Sequence, residues 1–299
     1  MKSPWPVVFV VASLAFLRMP QANSDEPGNK APAPDVDAMI GKEAGQIRDD
    51  NAPKMKLVWC PPGEFTMGSP KSEKGRSKDE NQADVTLTKG YWVGKYEVTQ
   101  SEWKQVMKTE PWKEKTLNKE GADYPATFVS WNDAIDFFRK LTEQERQGGR
   151  LSNDWEYTLP TEAQWERACR ARTETRFSFG DDESKFGEYA WFRDNTWNAD
   201  EKYAHPVGQK KANPWGIHDM HGNVWEWCRD VYSKELPGGR DPEVKSDEKT
   251  EGSNRVFRGG GWFVVAAGCR SGIRSGIRPD DRSSNRGFRS ALSAVQPVK

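Results

Sequence analysis

The chain carries no surplus of either charge and few of the residues that build common metal or nucleotide sites. Lysine plus arginine and aspartate plus glutamate both number 45, so the formal net charge is zero. No overall field therefore draws the protein to nucleic acid or to an anionic membrane. Histidines number only 3 and cysteines 4, with no cysteine in a Cys-x-x-Cys pair, which excludes zinc-ribbon and thioredoxin-type sites. His218 and His221 are the one close histidine pair, without a third nitrogen or sulfur ligand nearby in the chain. No GxSxG, P-loop or GxGxxG motif occurs, so esterase, nucleotide-hydrolase and dinucleotide readings have no support. Apart from one N-terminal run there is no long apolar stretch, so no membrane span is expected once that run is removed.

Glycine (26) and tryptophan (14) are plentiful, which predicts a loop-rich fold whose irregular segments are held by large aromatic anchors. Lys2, the apolar "WPVVFVVASLAFL" and the small residues Ala22 and Ser24 read as an export signal over residues 1–24, with secreted or periplasmic delivery. Residues 25–56, rich in Pro, Ala, Asp and Lys without periodicity, read as a tether; 57–293 as the globular domain; 294–299 as a tail. "GEFTMGS" and "ADVTLTKGYWVGKYEVT" alternate as hairpin strands do, and "TQSEWKQVM" reads as helix. In "SWNDAIDFFRKLTEQERQ", Ser130 and Asp133 form an N-terminal cap, and Trp131, Ala134, Ile135, Phe138 and Leu141 share a face. Thr161 and Gln164 make a capping box for a helix that carries Cys169. The class is α+β.

Two features invite chemistry. Cys60, Cys169, Cys228 and Cys269 would be free to pair in an oxidising compartment, and Cys269 is open to reading as a reactive thiol, a disulfide partner of Cys228 or a buried residue. Arg270, Arg274, Arg278, Arg282, Arg286 and Arg289 recur through a segment in which Gly272, Gly276 and Pro279 oppose a helix. On a loop, Arg270 and Arg274 would bind an anionic ligand, or the row would stitch irregular backbone to carbonyls and acids.

Seven separated motifs, "PPGEFTMGS", "KYEVTQSEW", "YPATFVSWNDA", "LPTEAQWERACR", "HPVGQKKANPWGIHDMHGNVWEWCRD", "RVFRGGGW" and "SNRGFRSA", occur in the order found in the formylglycine-generating enzyme, or sulfatase-modifying factor, family. The resemblance implies a C-type-lectin-like, loop-rich fold with calcium held in loops. The family's enzymes oxidise a sulfatase cysteine to formylglycine with O2 and copper(I) bound by two thiolates, soft ligands for a soft ion. Carried onto this chain, the second thiolate position is Cys269 and the first is Val264, so a copper site is not expected; Trp225 would line the pocket. One calcium site transfers to Asp219 and Glu226 side chains with main-chain oxygens of Gly222 and Val224. The expectation is an exported binding module for a peptide, a protein such as a sulfatase, or a glycan. The alternative is a formylglycine-generating oxidase with an altered site including Cys269.

Overall fold

The computed structural model describes residues 1, 3–4, 39–246 and 252–295. The chain divides into Met1–Ala31 and Pro32–Lys299. The export signal expected over 1–24, the first part of the expected tether and most of the expected tail lie outside the described residues.

The described part of the stretch expected as a tether is packed. Met39 is fully buried, and its carbonyl accepts a hydrogen bond of 2.8 Å from Trp92 Nε1. Asn51 folds back on Met55, accepting from its N–H at 2.8 Å and donating to its carbonyl at 2.7 Å. Strand β1 (Ile47–Arg48) pairs antiparallel with β2 (Leu57–Cys60). Two isolated methionines in a polar run make no periodic pattern, which is why composition reads this segment as linker.

The central sheet has the order β1-β2-β5-β12-β6, with β5 at Tyr91–Gly94, β6 at Trp155–Thr158 and β12 at Ala291–Ala294, every pair antiparallel. Its middle strands are covered on both faces. Leu57, Trp59 and Trp92 point into one core with Phe137, Phe138 and Leu141, while Val58, Cys60, Tyr91 and Val93 join Ala163, Trp165, Ala168 and Cys169 on the other side. Alternate side chains of one strand thus feed opposite layers. The first layer is α1 (Gln100–Met107) and α2 (Trp131–Gln147), and the second is α3 (Glu162–Arg170).

Both expected caps form: Ser130 with Asp133, and Thr161 with Gln164, each a reciprocal box. The buried face of α2 is Ala134, Phe137, Phe138 and Leu141, with Trp131 and Ile135 at its edge, so Phe137 belongs to a face from which the sequence reading left it out. The stretch from Ala83 to Thr99 is not one hairpin. Strand β4 (Ala83–Leu87) pairs with β3 (Gly63–Met67) and, in parallel, with β8 (Gly239–Arg240), whereas β5 joins the central sheet. A third sheet, β10-β9-β7-β11, is built from β7 (Trp225–Val231), β9 (Arg255–Arg258), β10 (Arg274–Ile277) and β11 (Arg286–Gly287). Its loops carry the candidate site.

Candidate functional site

Strand β9 ends in three glycines. Gly259 and Gly260 hold φ of 95° and 80°, and a Cβ added to Gly260 would stand 2.3 Å from Cys269 Sγ. The turn can lie on the thiol only because glycine reaches this φ without penalty and has no side chain. Cys269 is fully buried among Phe177, Phe186, Ala190, Phe192 and Ala266, with Val264 packed against the same cluster. Val264 and Cys269 thus border one apolar cluster. Burial pushes the Cys269 thiol up to about 12, so near neutral pH the free thiol is protonated and a poor nucleophile. A hydrocarbon and a buried thiol do not fit copper(I). Cys228 belongs to a different core, with Val58 and Val256. All four cysteines are buried and unpaired, which leaves the buried residue as the reading that holds for Cys269.

Trp225 is half-buried, edge-on to Phe257 at 4.7 Å, and its Cδ1 would lie 3.2 Å from a Cβ at Gly261. It borders the glycine turn. Beside the turn the chain exposes apolar surface: Trp197 at 43%, Phe263 at 37% and Val265 at 43%. The segment bearing Trp197 is tied to the cysteine loop by Arg193, whose N–H donates to Val264 O and whose Nε donates to Phe263 O, each at 3.0 Å. Trp197 stacks on buried Trp262 at 5.8 Å. Sequence reasoning took the aromatics of this region for anchors of irregular loops. The tie that turns Trp197 outward comes from residues about 70 positions away, and nothing local signals it.

On the opposite flank, Asp219 (φ 61°) sits in the loop before β7, and its Oδ2 accepts from Gly208 N–H at 2.7 Å. Asp219 Oδ1 is buried without a partner. Glu226, fully buried, takes Arg289 Nε on Oε2 at 2.5 Å and Arg289 Nη2 on Oε1 at 2.6 Å, with Trp165 Nε1 also on Oε2 at 2.7 Å. Burial raises the Asp219 carboxyl to about 6. Glu97, from the motif "KYEVT", was not singled out in the sequence, yet both its carboxylate oxygens are buried and unpartnered. Burial first, then Asp219 and Glu226, pushes it well above the usual carboxylate range. Orphaned buried carboxylate oxygens beside a loop rich in carbonyls are the donor set a hard divalent cation takes.

Of the two roles left open for Arg270 and Arg274, both residues take the stitching one rather than presenting an anion site. Arg270 donates to both Glu80 oxygens, at 2.7 and 2.8 Å, and to Glu73 at 2.5 Å, as well as to carbonyls of Ala267 and Gly75. Arg274 makes two 2.7 Å bonds to Glu162 and reaches the carbonyl of Ser233. Both are buried, and their donors are spent on binding backbone and acids of this chain. His221 is structural in the same sense. Its Nδ1 faces Cys269 O at 2.9 Å and so carries the proton, and Nε2 accepts from Ser178 N–H at 3.0 Å. Burial lowers its pKa to about 4.

Comparison with known proteins sets this geometry beside its relatives. Residues 43–294 match the model of the sulfatase-modifying factor enzyme 1-like domain. The chain is 29% identical over 233 residues to the chaperone protein LppX of Paenibacillus barcinonensis, covering 65% of this chain and 76% of that one. It is 32% identical over 188 residues to the formylglycine-generating enzyme of Streptomyces coelicolor, covering 58% of this chain and 54% of the relative, so it spans about half that enzyme's length. Among solved structures, PvdO from Pseudomonas aeruginosa superposes with a TM-score of 0.73 at 26% identity, over 84% of this chain and 99% of that one. Treponema denticola variable protein 1 superposes with a TM-score of 0.67 at 28% identity, over 79% and 94%. The α+β fold expected from the motifs is the one these proteins share.

Proposed function

The chain belongs to the sulfatase-modifying factor enzyme 1-like domain family, and from that premise we propose that it is an exported, calcium-stabilised binding module without the copper chemistry of the family's enzymes. The observation that carries this reading is the pair Val264 and Cys269, one a hydrocarbon side chain unable to bind copper and the other a thiol buried among phenylalanine and alanine side chains. An oxidase with an altered site at Cys269 would need a second soft ligand. The side chains packed on Cys269 are instead phenylalanine and alanine, with Val264 beside them.

Binding is assigned to the face beside the same turn. Trp197, Phe263 and Val265 present exposed apolar surface held in place by hydrogen bonds from Arg193; in a soluble domain such a cluster marks contact with a partner. The ligand is an apolar or aromatic segment of a protein or peptide, with a glycan ring stacking on Trp197 as the competing ligand class. Similarity to a protein named a chaperone supports a protein ligand. At the other flank a calcium ion, held by Asp219, main-chain oxygens of Gly222 and Val224 and a second carboxylate, would supply countercharge to buried acids and fix the loop before β7.

Copper(I) titration of the reduced protein against a competing chelator tests the reading. The expected result is no copper retained by the protein; one tightly held copper per chain would show that a second ligand completes a site at Cys269, and the binding-module assignment would fall.

A further inference from the structure

We infer that the cleft between β3 and the last turn of α3 binds a small monocarboxylate anion, held by the exposed Arg172 and charge-matched by the buried Arg167. Its lining shares no residue with the face of Trp197, Phe263 and Val265. The inference is therefore independent of the binding assigned to that face.

Six arginines are buried among the described residues. Five of them, Arg170, Arg258, Arg270, Arg274 and Arg289, form ion pairs with glutamates. Arg167, 6% exposed, has only neutral partners. Its Nη1 donates to Glu64 O at 3.0 Å, its Nη2 faces the carbonyls of Pro61 and Pro62 at 3.2 Å, and its Nε is buried without a partner. The guanidinium carbon stands 5.8 Å from the ring centre of Phe65 and 5.7 Å from that of Trp215. Carbonyls and aromatic faces satisfy donors but bring no countercharge, and a buried cation left without one is destabilising.

Arg167 lines a cleft of about 120 Å³ together with Arg170 and Arg172. At about 30 Å³ of liquid per water molecule, that is room for a small organic ion rather than a single water. Arg172 is exposed, and among the described residues its guanidinium has neither an ion pair nor a hydrogen bond, which leaves its donors to a ligand. The hydroxyls of Thr66 and Thr173 belong to the same lining, but they donate to Asp84 Oδ1 at 3.2 Å and to Arg170 O at 2.8 Å. Donation to a ligand thus falls to guanidinium groups, whose forked geometry matches an oxyanion. Glu64 and Glu174 also line the cleft, both exposed. Three guanidiniums against two carboxylates leave an excess of one positive charge, which a monoanion balances and a phosphate dianion would overshoot. Phe65, on the same wall, suits a carboxylate with a short hydrocarbon body.

The backbone holds Arg172 in a conformation that its side chain does not favour. Helix α3 closes on Ala171 at φ 46° and Arg172 at φ 77°, two successive residues in the left-handed region where glycine is the usual occupant. Thr173 fixes the turn, since its N–H and its hydroxyl both donate to Arg170 O at 2.8 Å. An arginine kept where glycine would sit with less strain points to a use for the guanidinium rather than for the turn.

Saturation-transfer difference NMR on the whole protein tests the site, with propionate as the probe and propionamide as its uncharged counterpart, on wild type, Arg172→Gly and Arg172→Gln. Wild type should bind propionate saturably and propionamide at least about tenfold more weakly. Arg172→Gly should melt no lower than wild type, because the left-handed turn is relaxed, yet bind propionate about tenfold more weakly or worse. Arg172→Gln should show the same loss. No saturable binding of propionate by wild type, equal binding of propionamide, or affinity unchanged in both variants would overturn the inference. Inorganic phosphate or sulfate that displaces propionate at concentrations below the propionate Kd would leave an anion cleft standing but overturn its assignment to a monocarboxylate. If neither variant folds, the comparison of propionate with propionamide on wild type still decides.

Discussion

An isopropyl group in place of a thiol decides what residue 264 can do, and one substitution asks whether anything else has changed. Val264→Cys should give the reduced protein copper(I) affinity at least ~100-fold above wild type, measured by competition with a chelator; unchanged affinity would mean that the pocket itself excludes the metal. Asp230 offers a second test at this scale. Burial first, then Glu162, raises its carboxyl from 3.8 to about 7, although Glu162 and Val244 N–H groups both donate to it. A folded-state pKa above the unfolded one gives stability that is complete below about pH 4 and is lost as pH rises towards 7. Between pH 5 and 8 wild type should therefore lose roughly 2 kcal/mol more than Asp230→Asn, read from urea midpoints; equal losses would place the titration elsewhere. At this scale the sequence was legible where a motif names the residue, as at the capping pairs Ser130 with Asp133 and Thr161 with Gln164. It was silent on Glu97, because nothing in "KYEVT" tells that both oxygens will lack a donor.

The glycine turn after β9 shows how an element places a side chain. Gly260→Ala would force a Cβ into a φ of 80° and to 2.3 Å from Cys269 Sγ, so it should cost at least ~2 kcal/mol and, where it folds, make Cys269 accessible to alkylation. Undiminished stability with Cys269 still protected would contradict the packing described. Local signals sufficed for helices: the boxes at Ser130 and Thr161 need only residues three apart, and both form. They did not suffice for strands. β4 and β5 are separated by three residues yet enter different sheets, because β5 is claimed by β2 and by β12, about 200 residues later. The arginine row lacked the same information: whether Arg270 and Arg274 meet a ligand or Glu80 and Glu162 depends on acids 112 to 190 positions away.

At the scale of the molecule, part of the balance of 45 cations and 45 anions is met inside the core. Arg258, Arg270, Arg274 and Arg289 are buried against Glu166, Glu80, Glu162 and Glu226, so charge that appears available in composition is spent inside. The domain also begins earlier than its hydrophobic periodicity does. Met39 and Met55 lie in the core with Trp59 and Trp92, and Met39→Ala should cost roughly 2–5 kcal/mol; a cost near zero in thermal or urea unfolding would return this segment to the status of a tether. The family and its α+β fold were legible because seven motifs recur in order, whereas the partner was not, since the exposed face of Trp197, Phe263 and Val265 is assembled from loops far apart in the chain. The central claim is that this face binds and that Cys269 does not catalyse. Its most direct test is to incubate the reduced protein with copper(I), O2 and a sulfatase-type Cys-x-Pro-x-Arg peptide, and to follow the peptide by mass spectrometry. The account predicts a peptide whose cysteine is unchanged; conversion of that cysteine to formylglycine would contradict it.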